Sequence, residues 1–426
     1  MTGAGGFIGS AVVEALLKEG CYVIACARNH KNISYSERVE CQSVDLGDML
    51  SMEQWIPFLD KVDAVVNSAG ILNENKSDEY RKIHYDMPRA LAEACIECEV
   101  QKFIQVSALG NAENSRFIQT KFEFDNYLIA LPLEATVIRP SVVVSLRGSY
   151  GGSSLLRAMA VIPFFLFLPG NGEQRIQPIL LEDLGTLIVK VFTRKQFKNQ
   201  VIYAVGPSIM TIKRYLSQIR YWLKIPPPFF VHIPMLLVHL VALVGQALGH
   251  GPLGKTALNM LLKGNVAPAD AYDKAADYTG FEPRSVEVAL ENSASFVQDR
   301  WHARLYFLKP LLWFSLALVW VVSGVAGLLA EPETFRSVLE HSPIQPQYYK
   351  VSAYLFSLFD ILLGVLLFVR FKVNWVVLLM FMSTLGYTLS ISAWFPGVWL
   401  DPLGGMLKNI PLLIILSIYW VLEDMR

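Results

Sequence analysis

The chain opens Met1-Thr2-Gly3-Ala4-Gly5-Gly6-Phe7-Ile8-Gly9, a T-G-x-x-G-x-x-G run. Glycines at this spacing suit a pyrophosphate cradle. Gly3 permits a tight turn, Gly6 lets backbone approach a phosphate, and Gly9 lets the next helix pack on a strand. That helix, patterned from Ser10 to Glu19, turns its N-terminus toward the anion. A second pattern, Cys95-Ile96-Glu97-Cys98, has the spacing of half a metal site. No second Cys or His pair lies nearby and the run is helical, so both read as packing cysteines and no metal is expected. A third feature is Asp360, the only acid well inside a long apolar run. An acid there must be paired, which makes it a functional residue or a lock between helices, with Lys408 or Asn409 as its partner.

The elements that position these residues alternate. Cys21–Ala27 is a short apolar strand, Val44 and Asp45 close another, and Val62–Val66 runs into Asn67-Ser68-Ala69-Gly70. Phe103–Val106 ends in Ser107, and Ala135–Ile138 ends in Arg139-Pro140. Helical stretches separate them, which predicts an α/β fold with a doubly wound parallel sheet of the Rossmann type.

In this order the motifs resemble the short-chain dehydrogenase/reductase superfamily, in its extended and atypical branches, over residues 1 to about 300. The flavour is similar to the NADH:ubiquinone oxidoreductase accessory subunit of respiratory complex I. The resemblance implies nicotinamide-dinucleotide binding by Gly3, Gly6, Phe7, Ile8, Gly9, Asp45, Leu46, Ala69, Gly70, Lys121 and Pro140. Asp45-Leu46 matches the pair beside the adenine, and Arg139-Pro140-Ser141 the segment beside the nicotinamide. Ser107 matches the catalytic serine. Gln177-Pro178-Ile179 through Glu182-Asp183-Leu184 matches a later strand-to-helix stretch.

The strand after the glycine-motif helix ends Cys26-Ala27-Arg28-Asn29, with no acid for a ribose 2′-hydroxyl. Arg28 suits a 2′-phosphate, so NADP is expected over NAD. Two departures stand out. The family uses Y-x-x-x-K, but here the stretch reads Phe117-Ile118-Gln119-Thr120-Lys121, and none of the 17 tyrosines has a lysine four residues on. A phenyl ring transfers no proton. Lys121 then either holds the ribose or acts alone as the proton donor, a lysine-only arrangement similar to the isoflavone-reductase-like branch. The second departure is that only Met1 precedes Thr2, where the family runs a central strand. The natural chain is therefore expected to begin upstream.

Composition divides the 426 residues. Hydrophobic residues make up 53%, and the 37 basic residues balance the 37 acidic ones, so no net field steers the chain to nucleic acid. Of the 74 charged residues, 60 lie in 1–304. Five cysteines, all in the first hundred residues, form no disulfide framework. Pro310–Leu329, Val351–Val369, Asn374–Leu400 and Met406–Leu422 are each about long enough to cross a bilayer, which predicts an all-α four-helix transmembrane domain over 305–426. Asp360-Ile361-Leu362-Leu363-Gly364 and the stretch Asp401–Pro411 resemble the DoxX-like family, and fusions of this kind look typical of bacteria. Arg300, Arg304, Lys309, Arg370 and Lys372 flank the runs. They predict an inner-membrane protein with the N-terminal domain and the C-terminus cytoplasmic.

Within the N-terminal domain, about 150–290 reads as a substrate lobe. Phe229–Gly249 is uncharged for 21 residues and reads as an in-plane or buried helix, with His232 and His239 as surface or packing residues. Three functions compete. The first is a membrane-tethered NAD(P)H-dependent oxidoreductase on a carbonyl or lipid-soluble substrate, such as a quinone. The second is a non-catalytic cofactor-binding subunit, and the third a sugar-nucleotide epimerase or dehydratase.

Overall fold

The computed structural model describes residues 1–72, 78–111, 115–194, 199–247, 262, 264–331, 336, 339–340, 342–400 and 404–423. The chain forms two compact units, Met1–Arg304 and Leu305–Arg426.

The first unit is built on parallel strands β1 (Val23–Ala27), β2 (Val39–Ser43), β3 (Ala64–Asn67), β4 (Lys102–Val106) and β5 (Glu134–Pro140). β6 (Phe165–Pro169) belongs to the lobe, and β7 (Gln200–Ala204) returns to the sheet. The order is β7-β5-β4-β3, with β1-β2 beside it. β2 ends at Ser43, one residue short of the expected Val44–Asp45 close. Thr2 joins the two blocks by bridging both Cys26 and Asn67. Its N–H donates to Val66 O at 3.1 Å, and the Cys26 N–H donates to Met1 O at 2.8 Å. The central row between β1 and β3 is therefore short but hydrogen-bonded.

β4 and β5 are buried almost continuously, as strands covered on both faces must be. On one face α1 (Phe7–Lys18) and α4 (Leu181–Phe192) pack Val12, Val13, Leu184 and Ile188 against Ile104 and Ile138. On the other, α2 (Met87–Glu97) and α3 (Arg116–Ala130) pack Leu91, Cys95, Phe124 and Leu128 around Phe103. Cys95 is fully enclosed there, and burial pushes its thiol up to about 12. It is a packing residue and an inert thiol.

The lobe includes α5 (Ile212–Trp222). Its buried Arg220 donates to Ala160 O and Ile162 O, both at 2.8 Å, and to Pro226 O at 2.6 Å. A buried guanidinium is thus satisfied by backbone carbonyls alone. The uncharged run from Phe229 is split. β8 (Phe229–Ile233) pairs parallel with β6, and α6 (Met235–Ala247) follows. Pro234 lies between them and carries no N–H for a ladder or a continuing helix. Residues 248 and 249 of that run lie outside the described residues.

The second unit takes the part of α7 (Val297–Leu329) from Leu305 on, with α8 (Tyr349–Phe368), α9 (Val373–Trp394) and α10 (Asn409–Glu423). Among the described residues, three helices are long and apolar enough to cross a membrane. The fourth expected span is shorter, the 15 residues of α10. α9 stops at Trp394, before the expected Leu400, because Pro396 starts a 3-10 turn. Asp401, Pro402 and Leu403 lie outside the described residues. Two glycines set the helix contact. A Cβ on Gly324 would lie 2.5 Å from Ser357 O, and one on Gly364 would lie 2.9 Å from Ala317 O. α7 and α8 meet at backbone distance, as small residues at membrane helix contacts allow.

Candidate functional site

The glycine loop is filled to the limit of its backbone. Gly3 has φ +66°, and a Cβ there would lie 2.8 Å from Ala69 N. A Cβ on Gly9 would lie 2.0 Å from Gly3 O, and one on Gly5 would lie 2.2 Å from Asn29 O. Gly5, which lies between the glycines of the triad, is as constrained as they are, because the turn after β1 closes over it. α1 starts at Gly6 with no side-chain cap and no acid in its first turn. Its first N–H groups thus face outward without a competing anion, which fits a diphosphate.

Around this loop, Arg28 is exposed directly after β1. The Asp45 carboxylate accepts the Gly47 N–H at 3.0 Å, and Leu46 packs against the core under α2. Phe7 meets Tyr150 at 6.2 Å between ring centroids, and Ile8 packs on the core of the α1 face.

The carboxyl ends of β3, β4 and β5 bring together a second group. Asn67 is buried, accepts Thr2 Oγ1–H at 2.6 Å and Ala69 N–H at 3.1 Å, and donates to Gln105 at 2.7 Å. Ser107 Oγ donates to Asp125 Oδ2 at 2.8 Å. Arg139 reaches the same oxygen with Nη2 at 2.9 Å and Nε at 3.1 Å. Asp125 is fully buried, and its other oxygen has no partner. Burial pushes this carboxyl up, against the opposing pull of Ser107, Arg139 and Lys121. Pro140 O accepts the Leu109 N–H at 3.0 Å, which ties the end of β5 to the loop after Ser107.

Lys121 is buried beside them. Its Nζ donates to Val106 O at 3.1 Å and lies 3.3 Å from where a Cβ on Gly70 would sit. Burial lowers its ammonium to about 8, with Asp125 pulling the other way. Phe117 is buried one turn earlier on α3, with Nζ 5.8 Å from its ring centre. The hydroxyl of the Y-x-x-x-K pattern is thus replaced by an apolar wall.

Two members of the cluster were missed in the sequence. Asp125 had a signal, since it falls four residues after Lys121 on the same helix. His84 had none. It lies in a π-turn, Lys82–Asp86, packed between Tyr80 and Phe117. Its Nε2 accepts the Ile71 N–H at 3.1 Å, and Nδ1 meets Thr120 Oγ1 at 3.0 Å. Burial, aided by Lys121, holds the imidazole well below its usual value, so it is neutral. The later stretch is structural. Gln177 donates to Gly206 O at 2.9 Å, and Asp183 pairs with Arg284 at 2.6 Å.

In the second unit, Asp360 Oδ1 is enclosed without a hydrogen-bond partner. The expected partners do not meet it in any hydrogen bond or ion pair: Asn409 donates to Thr388 at 2.9 Å, and Lys408 is exposed. Thr388 also donates back to Thr384 O at 2.7 Å, closing a small polar group between α9 and α10.

Residues 1–206 match the NAD dependent epimerase/dehydratase family, and residues 317–417 match the DoxX-like family. The chain joins an epimerase/dehydratase-type NAD-binding domain to a DoxX-like domain. The first domain is homologous to subunits of the mitochondrial NADH dehydrogenase. The Neurospora crassa NADH-ubiquinone oxidoreductase 40 kDa subunit is 23% identical over 217 residues, 49% of this chain and 56% of that one. The chain therefore spans about half the length of this relative. Mouse NADH dehydrogenase (ubiquinone) 1 alpha subcomplex subunit 9 is 24% identical over 311 residues, 67% of this chain and 78% of that one. Among solved structures, UDP-glucuronic acid 4-epimerase from Bacillus cereus, in complex with UDP-glucuronic acid and NAD, has TM-score 0.54 at 18% identity. It covers 72% of this chain and 98% of its own. UDP-glucose 4-epimerase from Thermotoga maritima has TM-score 0.51 at 18% identity, over 73% of this chain and 98% of its own. These two likenesses describe the fold of the epimerase/dehydratase-type domain. The DoxX-like match covers the last part of α7, all of α8 and α9, and most of α10.

Proposed function

We propose that the protein is a membrane-tethered NAD(P)H-dependent oxidoreductase that reduces a lipid-soluble carbonyl compound, with Lys121 as the proton donor. The observation that carries this reading is the lysine itself. It is buried beside Gly70, its direction fixed by Val106 O, and it is poised to release a proton near pH 8. A nicotinamide dinucleotide bound on the glycine loop would supply the hydride. The Lys121 ammonium gives a proton to the substrate oxygen as the carbonyl carbon is reduced, and water then reprotonates the amine. Ser107 has its proton committed to Asp125, so it keeps lone pairs to accept a hydrogen bond from substrate or ribose. Arg28 and the missing acid after β1 favour NADPH over NADH. The flanking basic residues support an inner membrane with residues 1–304 on the cytoplasmic side.

A second reading is a cofactor-binding subunit without turnover. Phe117 favours it, since the usual hydroxyl is absent from the cluster. One experiment separates the two. The full chain in detergent is titrated with NADPH and NADH by fluorescence, and then quinones and aldehydes are tested for cofactor oxidation. Oxidation that disappears in Lys121→Met supports the first reading. Tight binding with no oxidation by any acceptor supports the second.

A further inference from the structure

The NAD-binding unit exposes large apolar side chains in a region that the proposed chemistry does not use. Phe164 is 72% exposed and Phe229 is 73% exposed. The two are joined by the Phe229 N–H donating to Phe164 O at 2.7 Å. Phe164 holds φ +62°, a left-handed conformation that a bulky residue adopts only at a cost. The exposure continues after Pro234. On α6, Leu236 is 74% exposed, and Leu237, Leu240 and Val241 are each about half exposed or more. At helical spacing these cover one broad side, while Ala242 is the buried residue on the other.

We propose that α6 and the Phe164–Phe229 edge lie flat in the interface of a lipid bilayer. Four observations select lipid as the occupant. The same chain carries three helices long and apolar enough to cross a membrane, so a bilayer is a neighbour this unit always has. Residues 229–249 contain no charged side chain, so nothing in the run opposes burial in acyl chains. Both histidines of the run turn Nδ1 back onto the chain, His232 to Gly170 O at 3.1 Å and His239 to Met235 O at 2.7 Å, which lowers the cost of placing the run against lipid. The Lys213 ammonium sits 4.5 Å over the Phe230 ring, the pairing of cation and aromatic that suits phosphate headgroups. α6 has 13 residues. Over these residues it is roughly 20 Å long, which suits lying in plane.

The test uses the full chain in phosphatidylcholine–phosphatidylglycerol vesicles. A bimane is attached through Leu240→Cys or Phe164→Cys, with Cys41 replaced by Ser and unsubstituted protein as the labelling control. Tyr35→Cys, at a nearly fully exposed position, is the aqueous reference. Lipids with doxyl groups at shallow depth are expected to quench the label at 240 and 164 at least about twofold more than at 35, and iodide to quench in the reverse order. Equal iodide quenching at all three sites overturns the proposal. So does a label shielded from both quenchers, since the surface would then be covered by protein. If that shielding vanishes when protein is diluted in lipid, the cover is a second copy.

Discussion

The two units treat buried polarity in opposite ways. In the NAD-binding unit each buried charge among the described residues is placed against another chain element. Asp125 holds Ser107 and Arg139, Asp183 holds Arg284, and Arg220 is capped by three carbonyls. In the DoxX-like unit the described ion pairs are Arg336 with Glu340, between α7 and α8, and Lys309 and Arg370 both on Glu423 at 3.4 and 3.2 Å. Inside, hydroxyls turn back onto their own helix: Thr384 to Met380 O, Thr388 to Thr384 O, Ser392 to Thr388 O. Glycine shows the same contrast. Gly3, Gly5 and Gly9 clear space for the adjoining turns of the same loop region, while Gly324 and Gly364 clear space for a neighbouring helix. A fold that meets water can afford many cross-links, whereas a bundle suited to lipid must satisfy polarity locally.

This contrast can be broken most severely at the glycine loop. Gly9→Ala puts a Cβ 2.0 Å from a backbone oxygen that cannot move away. Nucleotide binding should vanish and the first unit lose more than about 3 kcal/mol, read by NADPH titration and thermal melting. Next is Lys121→Met, expected to lower turnover by about 10²- to 10⁴-fold while the fold remains. Its pH signature is specific. Folded Lys121 gives up its proton near pH 8, against about 10.4 for a free lysine. Across that window the unfolded chain binds the extra proton, so stability from this group rises with pH while turnover falls. A rate that stays flat through pH 8 would remove Lys121 as the acid. In the bundle, Gly364→Ala should cost about 1–3 kcal/mol, less than the loop change, because its backbone clashes, with Ala317 O and Val321 N at 2.9 Å, are milder than the 2.0 Å at Gly9. This is measurable as a shift in detergent melting. The smallest effect is expected from Arg28→Ala, about tenfold weaker NADPH binding with NADH unchanged.

Much of this was legible in the sequence, and the exceptions share a cause. The strand ends, the glycine loop, Ser107 and Lys121 all sit where local spacing puts them, because each follows from one strand-to-helix turn. The apolar bundle was legible because charge is nearly absent from its helices. The constraint on Gly5 was missed since it comes from Asn29, across the turn after β1. His84 was missed because a π-turn breaks the period on which helix reading depends. Asp360 was read as paired with Lys408 or Asn409, but Asn409 bonds Thr388 instead. Contacts between distant elements leave no local pattern. The split at Pro234 was written in the chain, yet apolar length outweighed it in the reading.

The clamp at Glu423 has a consequence for how the protein is made. Lys309 donates to Leu422 O at 2.8 Å, across 113 residues of chain. The first helix of the bundle therefore waits, through the synthesis of two more, for the partner that fixes its basic end. Until then Lys309 is unlatched, and the first two helices are held by the close approach at Gly324 and Gly364 and by Trp313 Nε1 donating to Leu367 O at 2.8 Å. Biogenesis should be slowest, and most open to quality control, in the interval before α10 emerges.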